Sequence, residues 1–188
     1  QVSDAGTPAI SDPGEDLVRL CIENGITVTS VPGPVAGITA LILSGLPTGR
    51  YAFEGFLSVN KRHRHEHLNA VKNDPRTLIF YEAPHKLKTT LSDMRSAFGG
   101  ERRIALAREL TKVHEEIIRT TLDGAVEYYE EKPPRGEYVL VIEGAKPETA
   151  GDEECFWSNM TVAEHVERYI SEGMDSKAAI KAAAVDRN

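Results

Sequence analysis

The sequence of 188 residues lacks several features that would assign it to a class of protein at once. No run of about eighteen apolar residues occurs, which excludes a membrane-spanning helix from this stretch of chain. No basic and apolar signal sequence follows Gln1. Only two cysteines are present, Cys21 and Cys155, and they lack CxxC or CxxH spacing. We therefore predict reduced thiols, no zinc site and a cytoplasmic protein without a membrane partner.

Positive charge is also scarce. The chain has 22 Lys and Arg residues against 29 Asp and Glu residues, a net charge of −7 with His neutral. This balance excludes a protein that grips nucleic acid over its whole surface, but it allows a local basic patch. LSVNKRHRHEHL at 57–68 forms such a patch, and we predict a flexible basic loop there. Because a flexible loop gives its histidines no fixed partners, we predict no metal site in it.

The first 49 residues combine helix and strand patterns with loops rich in Gly and Pro. Apolar spacing predicts a helix over 15–24, and the alternating ITVTSV at 26–31 predicts a strand. VAGITALILSG at 35–45 predicts a small apolar helix that stops at its last glycine. A strand followed by a tight turn and a helix is typical of an open parallel α/β sheet.

Residues 50–145 have the pattern of a second α/β domain. Buried strands are predicted over 77–81, 103–108 and 138–144. Helices are predicted over 84–98 and 121–131. An acidic linker is predicted over 146–156, followed by two short helices in 157–188 that form a partial helix-turn-helix-like tail. The first of these helices has Thr161 and Glu164 at the spacing of a capping box.

Two loops have almost no side-chain bulk. SDAGTPAISDPG at 3–14 and VPGPVAGITA at 31–40 consist mainly of Gly, Pro, Ala, Ser, Thr and Asp. Such loops let main-chain atoms approach a ligand closely, and the second loop leads into a helix N-terminus. Neither is a P-loop or a GxGxxG fingerprint. A plain β–α turn is the alternative, but two such loops together favour a shared small-molecule cleft at a sheet edge.

Six ordered segments of the chain resemble the ribosomal RNA small subunit methyltransferase I family, which is part of the tetrapyrrole methylase superfamily. They are VSDAGTPAISDPG, VPGPVAGITALILSGLP, FEGFL, FYEAPHKL, ARELTKVHEE and RGEYVLVIEG. The resemblance covers nearly all of residues 1–145, and 157–188 resemble that family's C-terminal extension. It implies an α/β, tetrapyrrole-methylase-like fold of two domains with a cofactor cleft between them. Residues 1–49 would then be the remainder of the N-terminal cofactor-binding domain, and we expect a fragment that lacks the family's N-terminal part and extreme C-terminus.

The resemblance also implies an activity. The family transfers a methyl group from S-adenosylmethionine to the ribose 2′-oxygen of a cytidine in the decoding region of 16S rRNA. The expected partners are therefore 16S rRNA in the 30S subunit and a second copy of the chain in a homodimer. Two alternatives stay open: a methyltransferase acting on a precorrin or porphyrinogen, and a non-enzymatic nucleic-acid-binding regulator.

Site residues follow from the resemblance, segment by segment. The cofactor-binding residues that it implies are Asp4, Gly6, Thr7, Ile10, Thr39, Ala40, Tyr81, Glu82, Tyr138 and Val139. For Thr39, Ala40 and Val139, ordinary core packing is the alternative. In-line methyl transfer benefits from a base that accepts the hydroxyl proton. Glu82, His85 and Glu109 are the alternative candidates for that base, and Lys61, Arg62 and Arg64 are the candidates for contact with RNA phosphate.

Overall fold

The computed structural model of the protein describes residues 2–3, 6–146, 157 and 160–187. The chain divides into two compact units, Gln1–Lys146 and Pro147–Asn188. The domain boundary that we predict at residue 49 stays a prediction. Asp4 and Cys155 lie outside the described residues, as does most of the predicted linker.

A five-stranded mixed sheet forms the centre of the first unit, in the order β1-β2-β5-β3-β4. The strands are β1 (Tyr51–Phe56), β2 (Thr77–Glu82), β3 (Arg103–Arg108), β4 (Glu116–Thr121) and β5 (Tyr138–Ile142). β1 and β2 run parallel, whereas the other neighbouring pairs are antiparallel. All five residues of the central strand β5 are buried, which explains its unbroken apolar sequence.

Helices pack on both faces of this sheet. The helices of the first unit are α1 (Glu15–Glu23), α2 (Ala36–Ser44), α3 (Lys61–Val71), α4 (Leu87–Phe98) and α5 (Leu122–Glu131). Alternate residues of the buried strands point to opposite faces, so Phe80 packs with the α4 and α5 side chains while Ile79 packs beneath α2. The result is a three-layer α/β arrangement, which confirms the predicted fold class.

The predicted helices and buried strands of the first unit are confirmed to within three residues at either end. These are the helices at 15–24, 35–45, 84–98 and 121–131 and the strands at 77–81, 103–108 and 138–144. Gly45 ends α2 in the left-handed conformation, with φ of 75°, which a residue without a Cβ adopts at no steric cost.

The strand predicted at 26–31 is wrong. This segment is irregular and pairs with no strand in the described part of the chain. Its β-branched side chains are exposed, including Val31 at 85%. β-propensity reflects packing on a half-buried surface, and here no neighbouring strand provides that surface. The parallel sheet expected from the pattern of the first 49 residues is likewise not formed among the described residues of that segment, because all five strands lie between residues 51 and 142.

The flexible loop predicted at 57–68 is also wrong, because most of this segment is α3. The Asn60 carboxamide oxygen caps the helix and accepts hydrogen bonds from the Arg62 and His63 N–H groups at 3.0 and 3.3 Å. Leu68 is 1% exposed and anchors the helix in the core. A single buried leucine in a highly polar run gives too weak a periodicity to predict the helix. Strands β1 and β4 were not predicted either.

The second unit contains α6 (Val162–Ser171) and α7 (Ser176–Asp186). The predicted capping box is confirmed: the Glu164 N–H donates to Thr161 Oγ1, and the Glu164 carboxylate accepts from the Thr161 N–H at 2.7 Å. His165 is completely buried. The Arg187 guanidinium donates to its Nδ1 at 3.1 Å and to the Met160 carbonyl at 2.7 Å, so it joins the end of α7 to the start of α6.

Candidate functional site

A cavity of about 440 Å³ lies in the first unit, where several strands end. Its volume falls within the range of about 300–1,000 Å³ that small-molecule sites occupy. The wall includes the loop that begins at residue 6 and the turn before α2. It also includes residues at or just beyond the ends of β1, β2 and β3, and the first residues of β5. Its lining residues include Gly6, Thr7, Ile10, Pro34, Thr39, Phe56, Tyr81, Glu82, Ala107, Glu109, Lys112, Tyr138 and Val139.

The two small-residue loops are joined by one carbonyl. Pro34 O accepts from both the N–H and the hydroxyl of Thr7, each at 3.1 Å. Gly6 has φ of 73°, and a Cβ added there would lie 3.2 Å from the same oxygen. A larger residue at this position would therefore be strained and would crowd the junction. The bare sequence of the first loop allows the two backbones to meet at the cavity wall.

Backbone strain is concentrated in two of the loops beside this cavity. In the described part of the chain, four non-glycine residues have positive φ: Ala9, Ser11, Glu109 and Thr111. Three of them line the cavity, and Ala9 is next to the lining residue Ile10. Such conformations cost about 1–3 kcal/mol each and occur often at ligand-binding loops. This clustering is independent support for a binding site here.

Tyr81 connects the end of β2 to the start of α2. Its hydroxyl oxygen accepts the Gly37 N–H at 3.0 Å. Its ring makes edge contacts with Phe53 and Phe56, with centroids 5.0 and 5.6 Å apart. Burial raises the pKa of Tyr81, so its hydroxyl stays protonated at neutral pH and can donate into the cavity.

Glu82 is buried at the end of β2, with 2% of its surface exposed. Its Oε2 accepts the Thr90 hydroxyl at 2.5 Å, and its Oε1 accepts the Ala83 N–H at 2.8 Å. The described cations form no salt bridge with this carboxylate. Glu82 thus places a buried carboxyl group at the cavity wall, with hydrogen-bond partners but no salt-bridge partner among the described residues.

Glu109 and His85 have different environments from Glu82. The Glu137 N–H and then the Lys112 ammonium, both at 3.2 Å, hold the pKa of the Glu109 carboxyl below its ordinary value. A lower pKa makes Glu109 a weaker proton acceptor. Its hydrogen bond with the Glu137 N–H joins the loop after β3 to the residues before β5. His85 is exposed and lies outside the main cavity, although it lines a second one.

The structure brings most of the predicted cofactor residues to one cavity. Those that line it are Gly6, Thr7, Ile10, Thr39, Tyr81, Glu82, Tyr138 and Val139. Ala40 does not, because it is 1% exposed and packs with Leu41 and Ile79 in the core. Asp4 lies outside the described residues. The ring of Tyr138 packs against Tyr129, and the residue is 3% exposed.

Several lining residues were not predicted from the sequence. They include Pro34, Val35, Ala36, Phe56, Ala107 and Leu110. Each lies in or beside one of the six family segments, so the motifs located the loops. Which residues of those loops face the cavity depends on how the chain turns after each strand.

The prediction that Arg64 contacts RNA phosphate needs a correction. Its side chain is 10% exposed, and its guanidinium donates to Asp93 at 2.6 Å and to the Ser58 and Val59 carbonyls. Because its Nε and Nη1 donors are used inside the unit and Asp93 balances its charge, we do not assign it to RNA phosphate. Lys61 and Arg62 are exposed on α3 and stay predictions.

The neighbouring histidines have fixed partners, contrary to expectation. His65 Nε2 lies 3.0 Å from Asp93, and His67 Nε2 lies 2.8 Å from Glu54. Within the described ranges, no three His, Cys, Asp or Glu side chains are grouped so as to hold a metal ion. None of the helices in the same ranges has the length and apolar character needed to cross a bilayer.

Comparison with known proteins identifies relatives of the chain. Ribosomal RNA small subunit methyltransferase I of Bacillus subtilis (strain 168) is 49% identical over 187 residues, which are 100% of this chain and 64% of that protein. The protein of the same name from Synechocystis sp. is 53% identical over 147 residues, 78% of this chain and 53% of that protein. The chain therefore spans less than two thirds of the length of the curated relatives it matches.

Solved structures show the same fold at low identity. The methyltransferase CobJ has a TM-score of 0.57 at 18% identity, and the match covers 74% of this chain and 62% of CobJ. A diphthine synthase has a TM-score of 0.57 at 10% identity, with 74% and 57% covered. At these identities the likeness shows the fold alone.

The family model for Tetrapyrrole (Corrin/Porphyrin) Methylases matches residues 2–126. This match includes the two small-residue loops and four of the five strands, and most of the cavity wall comes from it. The resemblance found in the six sequence segments is thereby confirmed. The chain belongs to the tetrapyrrole methylase family.

Proposed function

We propose that this chain forms the greater part of an S-adenosylmethionine-dependent methyltransferase of ribosomal RNA. Its target would be the ribose 2′-oxygen of a cytidine in the decoding region of 16S rRNA. The observation that supports this most is the 49% identity, over 187 residues, to a protein named ribosomal RNA small subunit methyltransferase I. We further propose a cytoplasmic homodimer that meets its substrate in the 30S subunit, as the sequence resemblance implies.

The cavity fits S-adenosylmethionine in size and in the chemistry of its wall. Apolar surface is available from Ile10, Ala107 and Val139, and backbone groups are available beside Gly6 and Tyr138. The absence of a side chain at Gly6 lets main-chain atoms approach a ligand. We propose that Gly6, Thr7, Ile10, Thr39, Tyr81, Glu82, Tyr138 and Val139 hold the cofactor. When bound, it supplies a methyl group that its sulfonium already activates.

The protein's own contribution would be alignment and proton transfer. The Thr7–Pro34 and Tyr81–Gly37 hydrogen bonds fix the walls, so the reacting atoms can be held in line at little further entropic cost. Among the three candidate bases, Glu82 is favoured because it lines the cavity and lacks a counter-charge. Its carboxylate would accept the proton of the ribose hydroxyl during methyl transfer.

A methyl-transfer assay on the full-length protein tests this function. Labelled S-adenosylmethionine would be supplied with 30S subunits, naked 16S rRNA or a porphyrinogen, and nuclease digestion would locate the label. We expect 2′-O-methylcytidine from 30S subunits. Label in the porphyrinogen alone would assign a tetrapyrrole substrate, and no transfer to any substrate would favour the non-enzymatic alternative.

The role of Glu82 makes a specific prediction. Glu82→Gln keeps the size and one hydrogen-bond acceptor but removes the basic carboxylate, so kcat should fall by about 10²-fold or more. Cofactor affinity, measured by calorimetry on the same variant, separates loss of the base from loss of a cofactor contact, because Glu82 also belongs to the proposed cofactor wall. The matched control is Glu127→Gln, an exposed residue of α5. Unchanged kcat in Glu82→Gln would remove Glu82 from the proton-transfer step.

A further inference from the structure

A second cavity, of about 230 Å³, adjoins the first. It is lined by the segment after β1, by Arg64 of α3 and by the residues between the end of β2 and the first turn of α4. The lining residues are Leu57, Ser58, Val59, Arg64, Glu82, His85, Lys86, Thr89 and Thr90. The function proposed above makes no use of this cavity.

The linings of the two cavities come together at two places. Glu82 lines both of them. Phe56 lines the first, and the next residue in the chain, Leu57, lines the second. Both cavities therefore lie at the same end of β1 and β2, with Glu82 in the wall of each. The second cavity is the natural place for the part of a substrate next to the reacting atom.

Its electrostatic character differs from that of the whole chain. The chain has a net charge of −7, yet this cavity has two cations, Arg64 and Lys86, and the imidazole of His85 in its wall, beside the single carboxylate of Glu82. Asp93 neutralises Arg64 at 2.6 Å. Lys86, by contrast, forms no salt bridge with any carboxylate of the described residues. The Lys86 charge is thus available to a ligand, beside the hydroxyls of Ser58 and Thr89.

The chemistry of RNA puts a phosphate at this position. The ribose 2′-oxygen and the 3′-phosphodiester are attached to neighbouring carbons of the same sugar. A substrate whose 2′-oxygen faces the first cavity near Glu82 must place that phosphodiester close by. The phosphate and the Glu82 carboxylate are both anions, so they can be neighbours at low cost only if a cation balances them.

We propose that the second cavity binds the phosphodiester on the 3′ side of the methylated ribose. The Lys86 ammonium supplies the counter-charge, and His85 and Thr89 supply hydrogen-bond donors. This inference rests on the proposed function and adds to it the site of the substrate backbone.

Lys86 and Lys88 give a matched pair for the test. Lys88 lies in the first turn of α4, donates to the Glu130 carbonyl at 3.3 Å and lines neither cavity. The probe is a fluorescein-labelled single-stranded oligoribonucleotide, bound to the full-length protein at several KCl concentrations and followed by anisotropy. Lys86→Ala should weaken binding about tenfold, as expected for one charge-assisted contact. The slope of log K against log [KCl] should fall by about 0.7, which corresponds to one phosphate.

Two further variants separate charge from packing. Lys86→Met keeps the apolar stem and should behave like Lys86→Ala, whereas Lys86→Arg should keep the salt slope of the wild type. Lys88→Ala should match the wild type. Cofactor affinity, measured by calorimetry, should be the same in all four variants.

The possible failures are distinguishable. If Lys86→Ala and Lys86→Met keep the wild-type salt slope while the wild type methylates RNA, the phosphate site is wrong and the proposed function stands. If Lys88→Ala loses the same slope as Lys86→Ala, the contact is a diffuse surface charge and the site is again wrong. If the wild type neither binds the oligoribonucleotide nor methylates any RNA, the proposed function fails, and this inference fails with it.

Discussion

Helices α1 and α4 have similar sequence patterns but different environments. Both have apolar residues at the spacing of one helix face. α4 buries five residues, including Leu91 at 0% exposure. α1 buries none, and its Leu20 is 50% exposed. The pattern therefore predicts the helix in both cases, whereas burial depends on whether another element lies against the apolar face.

The ion pairs on the two helices show the same contrast. Asp93 of α4 is paired with Arg64, and the two side chains are 14% and 10% exposed. Asp16 of α1 is paired with Arg19, with 87% and 61% of the side chains exposed. Water screens the second pair and leaves the first largely unscreened. Three measurements of the free energy of unfolding of this chain can sharpen or break the comparison.

Truncation of the apolar face should have the largest effect. Leu91→Ala removes a fully buried side chain, so the free energy of unfolding in urea should fall by about 2–5 kcal/mol. Leu20→Ala, the matched change on α1, should change it by less than about 0.5 kcal/mol. Equal losses in the two variants would show that the apolar face of α1 is covered in solution.

Removal of one partner from each ion pair should have the second-largest effect on the free energy of unfolding. Asp93→Ala leaves the buried Arg64 guanidinium without its carboxylate, and we expect a loss of about 3 kcal/mol. Asp16→Ala breaks an exposed pair and should cost at most about 0.5 kcal/mol. A loss below about 1 kcal/mol for Asp93→Ala would mean that water reaches the Arg64 site.

The contribution of the Asp93–Arg64 pair to the free energy of unfolding should depend on pH, and this is the smallest and most specific of the three effects. Burial alone would raise the pKa of Asp93, but the hydrogen bonds from Arg64 and His65 outweigh burial and hold it below the ordinary value. The pair therefore stabilises the fold fully above the ordinary pKa of about 3.9, and this contribution is lost as the pH falls through the lower pKa of the folded state.

Asp93→Asn allows this loss to be measured. The stability difference between wild type and Asp93→Asn, from urea unfolding between about pH 5 and pH 3, should shrink as the pH falls. Asp16→Asn should show a small difference at every pH. A wild-type advantage that grows on acidification would contradict the lowered pKa.

Structural elements that depend only on residues close together in the chain could be predicted from the sequence. The capping box of Thr161 and Glu164 closes within one helical turn, so sequence spacing alone locates the start of α6. The same holds for the apolar run of β5, since a strand buried on both faces has no polar positions. The small-residue loops also pointed to the cavity, because a bare backbone lets main-chain atoms approach a ligand closely.

Elements that depend on distant partners were not predictable. ITVTSV at 26–31 has the composition of a strand, but strand formation needs a neighbour to share its hydrogen bonds. Arg64 looked like a phosphate ligand because it belongs to the same basic patch as Lys61 and Arg62. Its actual partner, Asp93, lies 29 residues away on α4. Ala40 likewise resembles a cofactor contact by position, but its side chain points into the core.

Local sequence was enough to predict the helices of the first unit other than α3, its three most buried strands, the loops beside the cavity and the family. Each of these follows from periodicity, local hydrogen bonds or motif order, which act over a few residues. Three features became known only from the folded chain: β1 and β4 complete the sheet, Arg64 is buried, and Glu82 lines two cavities. Those outcomes depend on contacts between residues far apart in the chain, and local sequence does not encode which partner lies opposite.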